Sequence, residues 1–262
     1  MPLLNAMLLK ERLGPLAGRF DVDALDECDS TSSELLRRAA AGAPSGSVVV
    51  ADRQLAGRGR RGRNWASQPQ DSLTFSLLWR LPPGCQPSGL SLAVGLALVE
   101  ALQAVGGRQL ALKWPNDVLL VREADFAKLA GILIELSSDR RGMLACIGIG
   151  LNLRAPAGEF ALPVAGLSES LPVLPDRHTL FAHILISLAR RLDVFTSAGF
   201  APLQADWMAH HAWQDCPVDL LTDGVAEASG LCRGVDADGA LLLETVHGPR
   251  RILAGDVSLR RA

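Results

Sequence analysis

Along this chain, apolar residues gather in short runs separated by polar, glycine-rich and proline-rich stretches. Ser47–Ala51 (SVVVA) reads as a buried strand, and Ser72–Trp79 (SLTFSLLW) as the next. Leu90–Val105 carries small and apolar residues on one face and predicts a helix. Four strand-like runs follow at Leu110–Trp114, Val118–Val121, Leu129–Leu136 and Met143–Leu151. No helix separates them, which predicts an antiparallel or mixed sheet. Near the N-terminus, Thr31-Ser32-Ser33-Glu34 has the capping-box pattern, with Thr31 as N-cap and Glu34 three residues on. It predicts a helix to about Ala41. Further helices are expected from about Thr179 to Ser197 and near Ala201–His211. Residues 53–69 and the proline-rich stretch 155–175 read as loops, and the length of the second points to function.

From Pro217 the texture changes. PVDLL, EASGLCRGV, GALLLET and RRILAG are short strands separated by turn residues such as Asp223-Gly224 and Asp238-Gly239. Some 46 residues of this kind predict a small β-barrel. The expected division is therefore a larger α/β domain over 1–214 and a small β domain over 215–262. No internal repeat or low-complexity tract interrupts either part.

Composition narrows the function classes. With 48% hydrophobic and 21% charged residues and a net charge of −2, this is an ordinary globular chain. Nucleic-acid binding would need a local basic patch rather than a global field. Cys28, Cys85, Cys146, Cys216 and Cys232 are odd in number and form no CxxC pair, which argues against a zinc site or disulfide framework. A reduced, cytoplasmic setting fits best. No charge-free apolar stretch of membrane-spanning length occurs. The start MPLLNAMLLKERLG has no basic lead or clear cleavage site and reads as mature sequence.

One local patch exists. Gly57-Arg-Gly-Arg-Arg-Gly-Arg63 places four guanidinium groups in seven residues. Arginine carries a permanent charge and a planar fork that matches carboxylate and phosphate, and the glycines let backbone approach a ligand. The combination suits a carboxylate beside a phosphate. An RNA-binding segment and a solvated surface loop are the alternatives. Against them, the run lies between two apolar strands rather than in a tail, and it is a single copy. It is no P-loop, because GxxxxGK[ST] is absent.

Later segments are weak alone: Lys113-Trp-Pro-Asn-Asp117, Lys128-Leu-Ala-Gly-Ile132 and Gly148-Ile-Gly-Leu-Asn152. Taken in order after Ser30-Thr31 and Gln54-Leu-Ala-Gly-Arg-Gly-Arg-Arg-Gly-Arg63, they closely resemble the bacterial biotin–protein ligase family over about 30–260. The resemblance implies a mixed seven-stranded α/β catalytic domain followed by an SH3-like barrel. It implies an enzyme that makes biotinyl-5′-AMP from biotin and ATP with Mg²⁺. That enzyme then transfers biotin to a lysine of the biotin carboxyl carrier protein of acetyl-CoA carboxylase.

It also implies roles. Ser30, Thr31 and Gln54 match positions that hydrogen-bond the ureido ring of biotin, whose buried polar edges need partners. Gly57 and Arg58 match the segment lining that site, with Gly131 and Gly148 as further lining. Arg60 and Arg63 match positions near carboxylate and phosphates, and Trp65 the aromatic that helps enclose the nucleotide. A core role for Trp65 is equally open from sequence. Lys113, Asn116 and Asp117 match the nucleotide, metal and acceptor-lysine side, and Asn152 the nucleotide side. Lys128 matches the lysine touching both biotin carboxylate and α-phosphate, where negative charge builds. Lys128, Arg60 and Asp117 are thus the expected catalytic set, with any magnesium carried by the ATP phosphates near Lys113–Asp117.

Two departures stand out. The family's bifunctional members carry an N-terminal winged-helix repressor domain, whereas 29 residues precede Ser30 here, so operator binding is not expected. Residues 121–127 (VREADFA) make a longer hairpin tip before Lys128 than the family usually has. Lipoate–protein ligase is the near rival and lacks the GRGRRGR/KWPND pairing. The sequence leaves the oligomeric state open, and a homodimer is compatible with it.

Overall fold

The computed structural model describes residues 2–123, 125–158, 160, 162–222, 225–253 and 257–261. Helix α1 (Ala6–Leu13) opens the fold, capped by Asn5, whose side chain accepts from the Met7 and Leu8 amides. A short 3₁₀ stretch (Gly14–Arg19) leads to β1 (Asp21–Cys28). There follow α2 (Thr31–Ala40), β2 (Ser47–Gln54), β3 (Ser72–Leu81), α3 (Leu90–Ala104), β4 (Leu110–Lys113), β5 (Asp117–Val121), β6 (Phe126–Asp139) and β7 (Gly142–Asn152). After the 155–175 loop come α4 (Arg177–Ala198) and α5 (Gln204–Met208). The last five strands are β8 (Pro217–Thr222), β9 (Val225–Val235), β10 (Leu241–Thr245), β11 (Gly248–Ile252) and β12 (Val257–Arg261).

The first seven strands form one mixed sheet, ordered β1-β2-β3-β7-β6-β5-β4. Only β1 and β2 run parallel; the remaining pairs are antiparallel, as the helix-free spacing of the later strands requires. Helices α3 and α4 cover one face. Leu92, Leu96, Val99, Phe181, Leu185 and Leu188 pack there with Phe75, Leu77, Ile147 and Ile149. Helix α2 covers part of the other face, where Leu35 meets Val49, Leu78, Leu144 and Cys146. The rest of that face is left to a cavity.

One reading needs correction, and the structure adds detail at both ends of the chain. The N-cap of α2 is Ser30, not Thr31, and no side chain caps it in the capping-box manner. The open amide of Thr31 donates instead to Gln54 Oε1 at 2.8 Å, so a neighbouring strand does the capping. Glu34 turns to Arg37 and Arg38 at 2.5 and 2.7 Å. Ahead of Ser30 the described residues form α1 and edge strand β1, whose acidic, half-exposed pattern hides its strand character. The C-terminal strands form a five-stranded antiparallel sheet, β11-β10-β9-β8-β12, and among the described residues no pairing closes it into a barrel. The Asp223-Gly224 turn lies outside the described residues.

The second sheet does not stand apart. The apolar interior runs unbroken from the helices into Val218, Leu220, Cys232 and Leu241. Trp114 is fully buried at the seam, and its indole N–H donates to the Gly239 carbonyl at 3.1 Å. Leu112 bonds to the backbone on both sides of His211. His211 packs 4.8 Å from the Trp207 ring and 3.9 Å from the Cys232 sulfur. Burial pushes its pKa down from 6.5 to about 4, a hydrogen bond to Gln214 only partly opposing this.

That gives a pH prediction. The unfolded chain protonates this histidine below about 6.5, whereas the folded chain resists until about 4. The contribution is intact above pH 6.5 and lost as the pH falls toward 4, by up to about 3 kcal/mol. Urea unfolding at stepped pH is expected to show a steeper acid loss in wild type than in His211→Gln. Parallel curves would show that His211 does not control it.

Candidate active site

The uncovered part of the sheet is floored by β6 and β7 and walled by the start of α2, the end of β2 and the 57–65 loop. The cavity there, open on its outer side, is lined by Ser30, Thr31, Gln54, Arg58, Arg60, Trp65, Asn116, Lys128, Gly131 and Gly148, with Ser32 among them. At its inner end Thr31 Oγ1 lies 3.2 Å from Gln54 Oε1 and 2.8 Å from Ser76 Oγ, which is 3.0 Å from Ser32 Oγ. These groups are donors and acceptors on buried side chains, fit to pair both edges of a polar ring. Gly148 keeps the floor open: a Cβ there would sit 2.6 Å from Ser32 Oγ.

The 57–65 loop is a small hairpin. Trp65 N donates to Gly57 O at 2.9 Å, and Gly59 N to Arg63 O at 2.7 Å. This sets Trp65 flat over Gly150, where a Cβ would meet its ring at 2.2 Å. The ring needs a bare backbone below it, so both a wall role and a packing role hold for Trp65. Its indole N–H is buried without a hydrogen-bond partner. Arg60 donates to Asn116 Oδ1 at 3.0 Å, while Asn116 Nδ2 donates to Ile132 O at 2.9 Å. Asn116 thereby ties the loop to β6.

The charged centre lies where the cavity opens outward. Asp117 places Oδ1 2.6 Å from Lys128 Nζ and Oδ2 3.4 Å from Lys113 Nζ. Burial favours the protonated carboxyl, but the charges of Lys128 and Lys113 outweigh it and hold Asp117 below the ordinary carboxylate range. Burial lowers the Lys113 pKa, with Asp117 opposing and Lys128 adding to the fall. Lys113 Nζ also sits 5.2 Å from the centre of the Trp213 ring, and Lys128 Nζ 5.6 Å from that of Trp65. One anion thus fixes two cations in a site largely withdrawn from water.

Outside this centre, Arg60, Arg63, Lys113, Asp117 and Lys128 border a second cavity together with Arg260 of β12. A third is walled by Trp65, Asn152, Phe160, Leu162 and Val164, again with Lys128. The long 155–175 loop makes this wall by crossing back over β6. Lys128 N donates to Pro163 O at 2.8 Å and Ala165 N to Lys128 O at 2.9 Å. The β5–β6 hairpin tip braces it, since Arg122 donates to Val164 O at 3.1 Å and to Glu169 at 2.7 Å. Asn152 is buried and donates to Ala165 O at 3.1 Å, so it anchors this wall as well as lining it.

All the residues singled out from sequence converge here, with Gly57 one layer behind the lining. Four side chains of consequence were missed. Ser32 and Ser76 complete the inner polar cluster, Trp213 underlies Lys113, and Arg260 arrives from the other sheet. Ser32 sits beside a motif residue and could have been flagged. Ser76 and Trp213 look like ordinary strand and linker residues. Arg260 lies more than 130 positions from Asp117 and Lys128, and its own burial and Arg63 lower its pKa, with Asp117 opposing.

A polar cavity under an arginine hairpin, opening onto Lys113 and Lys128 held by one carboxylate, suits the joining of a carboxylate to a phosphate-bearing substrate, and the comparisons give the class: a protein ligase. Residues 27–152 match the biotin/lipoate A/B protein ligase family, and residues 217–260 the biotin protein ligase C-terminal domain. The chain is 37% identical to the bifunctional ligase/repressor BirA of Escherichia coli, over 99% of this chain and 79% of that one. It is 33% identical to the biotin–[acetyl-CoA-carboxylase] ligase of Mycobacterium tuberculosis, over 98% and 95%. Biotin protein ligase from Aquifex aeolicus in complex with biotin and ATP superposes with a TM-score of 0.78 at 32% identity, covering 92% of this chain and 99% of that one. The chain belongs to the biotin protein ligase family.

Proposed function

We infer that this ligase forms biotinyl-5′-AMP from biotin and ATP and passes the biotinyl group to one lysine of a biotin carboxyl carrier protein of acetyl-CoA carboxylase. The observation that carries this is the position of Lys128, which borders the inner cavity and both outer ones. A biotin whose ring occupies the inner polar end brings its carboxylate to Lys128, where an ATP entering from outside brings its α-phosphate. A carboxylate oxygen attacks the α-phosphorus and pyrophosphate leaves. The ε-amine of the acceptor lysine then attacks the acyl carbon, and AMP leaves. Thr31, Gln54 and Ser30 hold the ring. Arg60 and Arg63 face the phosphates, and Trp65 and Asn152 the nucleotide. Asp117 is too weak a base to draw protons readily; it holds Lys113 and Lys128 in place. The 1–214 and 215–262 parts meet at this site, since Arg260 comes from the second. A cytoplasmic location accords with five free thiols. Among the described residues no helix is long and apolar enough to cross a membrane.

The residues do not form a cage for magnesium. Asp117 is engaged by two lysines, and the described residues contain no group of three His, Cys, Asp or Glu that could hold a metal. A magnesium ion accompanying ATP would take its ligands from phosphate and water. The test of the activity is to mix the protein with ATP, Mg²⁺ and biotin and look for pyrophosphate and a biotinyl-adenylate mass. Lipoate is run in parallel. Turnover with lipoate and none with biotin would overturn the assignment.

The hairpin has a further use. The adenylate is a mixed anhydride, and a closed loop excludes water and stray amines. Arg60→Gly removes the bond to Asn116 and adds backbone freedom. It is expected to leave adenylate synthesis running while releasing adenylate faster. Incubated with ATP, biotin and an unrelated lysine-rich protein, the variant should label that bystander more heavily than wild type on a biotin blot. Equal labelling with continued ATP use would show that Arg60 does not seal the site.

A further inference from the structure

Glu135 has no part in the ligand contacts described above, yet it is built into the site. On β6, Gly131, Leu133 and Glu135 share one face, the face that floors the inner cavity. Glu135 lies just beyond the floor, opposite Cys146 of β7. There it pairs with Arg58, and Arg58 also donates to Ser33 Oγ in the first turn of α2 at 3.2 Å. The guanidinium therefore ties three walls together: the hairpin, the sheet and the helix. The other carboxylate oxygen of Glu135 is buried without a hydrogen-bond partner. A buried polar oxygen without a partner is costly, so the place of this side chain depends on its pairing with Arg58.

The hairpin is bonded to itself along its length. Arg58 pairs with Asn64 across it, and the Gly59–Arg63 and Trp65–Gly57 bonds flank that pair. Fixing Arg58 fixes the segment that carries Arg60, Arg63 and Trp65. We propose that Glu135 is a positioning residue: through Arg58 it holds the 57–65 hairpin over the inner cavity, and the pair sets how long biotin and its adenylate stay bound. The inference rests on the ligase reading of the cavity. The hairpin borders the inner cavity, so the pair would act as a latch on how long an acid held there stays, whereas the outer cavities offer ATP a separate approach.

The experiment compares wild type with Glu135→Gln, Glu135→Asp and the double variant Arg58→Gln/Glu135→Gln. Dissociation of radiolabelled biotin is followed by chase with unlabelled biotin, and retention of adenylate by rapid desalting. Glu135→Gln is expected to speed both about tenfold, with the KM for ATP and the thermal midpoint little changed. Glu135→Asp, which keeps the charge, should recover part of the loss. The double variant should dissociate no faster than the single one, because both changes break the same link. It also leaves no unpaired charge buried, so it serves should Glu135→Gln fold poorly. Wild-type dissociation rates in both Glu135→Gln and the double variant, or additive acceleration in the double variant, would overturn the latch. If wild type neither binds biotin nor makes adenylate, the ligase reading fails first and the latch with it.

Discussion

Replacing Lys128 with alanine is expected to slow biotinyl-adenylate formation by about 10²–10³-fold while ATP binding weakens far less. The reason lies in where charge develops. In the ground state the carboxylate and the α-phosphate each have their own counter-charges. In the transition state negative charge gathers between them, which is where the proposed reading puts the Lys128 ammonium. Stabilisation confined to that state lowers the barrier without tightening the ground-state complex. The ammonium is preset, since Asp117 holds it at 2.6 Å and Trp65 lies beside it. Alanine also leaves Asp117 with Lys113 alone, at the longer distance of 3.4 Å. Single-turnover adenylate formation at saturating ATP gives the chemical rate, and equilibrium titration gives the ATP affinity. A rate within a few-fold of wild type would remove Lys128 from the reacting centre. A loss of ATP affinity as large as the loss of rate would assign it to ground-state binding.

Trp114→Ala is expected to destabilise the fold by about 3–5 kcal/mol, a large part of a typical domain's stability. The ring is 0% exposed and packed between the Lys113–Asp117 turn and the second sheet. Truncation removes its apolar contacts and strands the Gly239 carbonyl that accepts its N–H. Trp114→Phe keeps most of the ring and loses mainly the hydrogen bond, so it should cost about 1 kcal/mol in that bond, plus any packing mismatch. Denaturant unfolding of both variants separates the two contributions. Because Lys113 and Asp117 flank the ring, the alanine variant should also lose activity before it unfolds. An alanine variant within 1 kcal/mol of wild type would mean that the seam tolerates a hole there, contrary to its packing.

The position of Trp114 illustrates how little a motif says about its own division of labour. In Lys113-Trp-Pro-Asn-Asp117, all five residues sit together in sequence, yet they divide among several separate neighbours. Lys113 and Asp117 face the charge centre, Asn116 bonds β6 and Arg60, and Trp114 pins the second sheet. The Pro115 carbonyl accepts from Ser91 on α3. Adjacent positions in a turn point in divergent directions, and only the packing of distant elements says which direction leads to the ligand.

Several features were readable from local order alone. The strands from Ser47 to Asn152 announce themselves because buried strands are apolar and short, and the helices because their apolar residues repeat with the helical period. The arginine hairpin was legible as an anion site because its chemistry is carried by residues adjacent in sequence, and the order of five motifs pointed to the family. Other features had no local signal. Edge strand β1 pairs on one side only and carries acidic residues, so its pattern does not register as a strand. The cap of α2 came from Gln54, 23 residues on, where a capping box within the helix was expected. Ser76, Glu135, Trp213 and Arg260 owe their places in or beside the site to strand register and to the docking of the second sheet. A sequence specifies which residues prefer burial and which backbone shapes they favour, since those preferences act within a few positions. Which remote side chains share a cavity is decided by long-range pairing, because hydrogen-bond register and core packing act between segments that are neighbours only after folding.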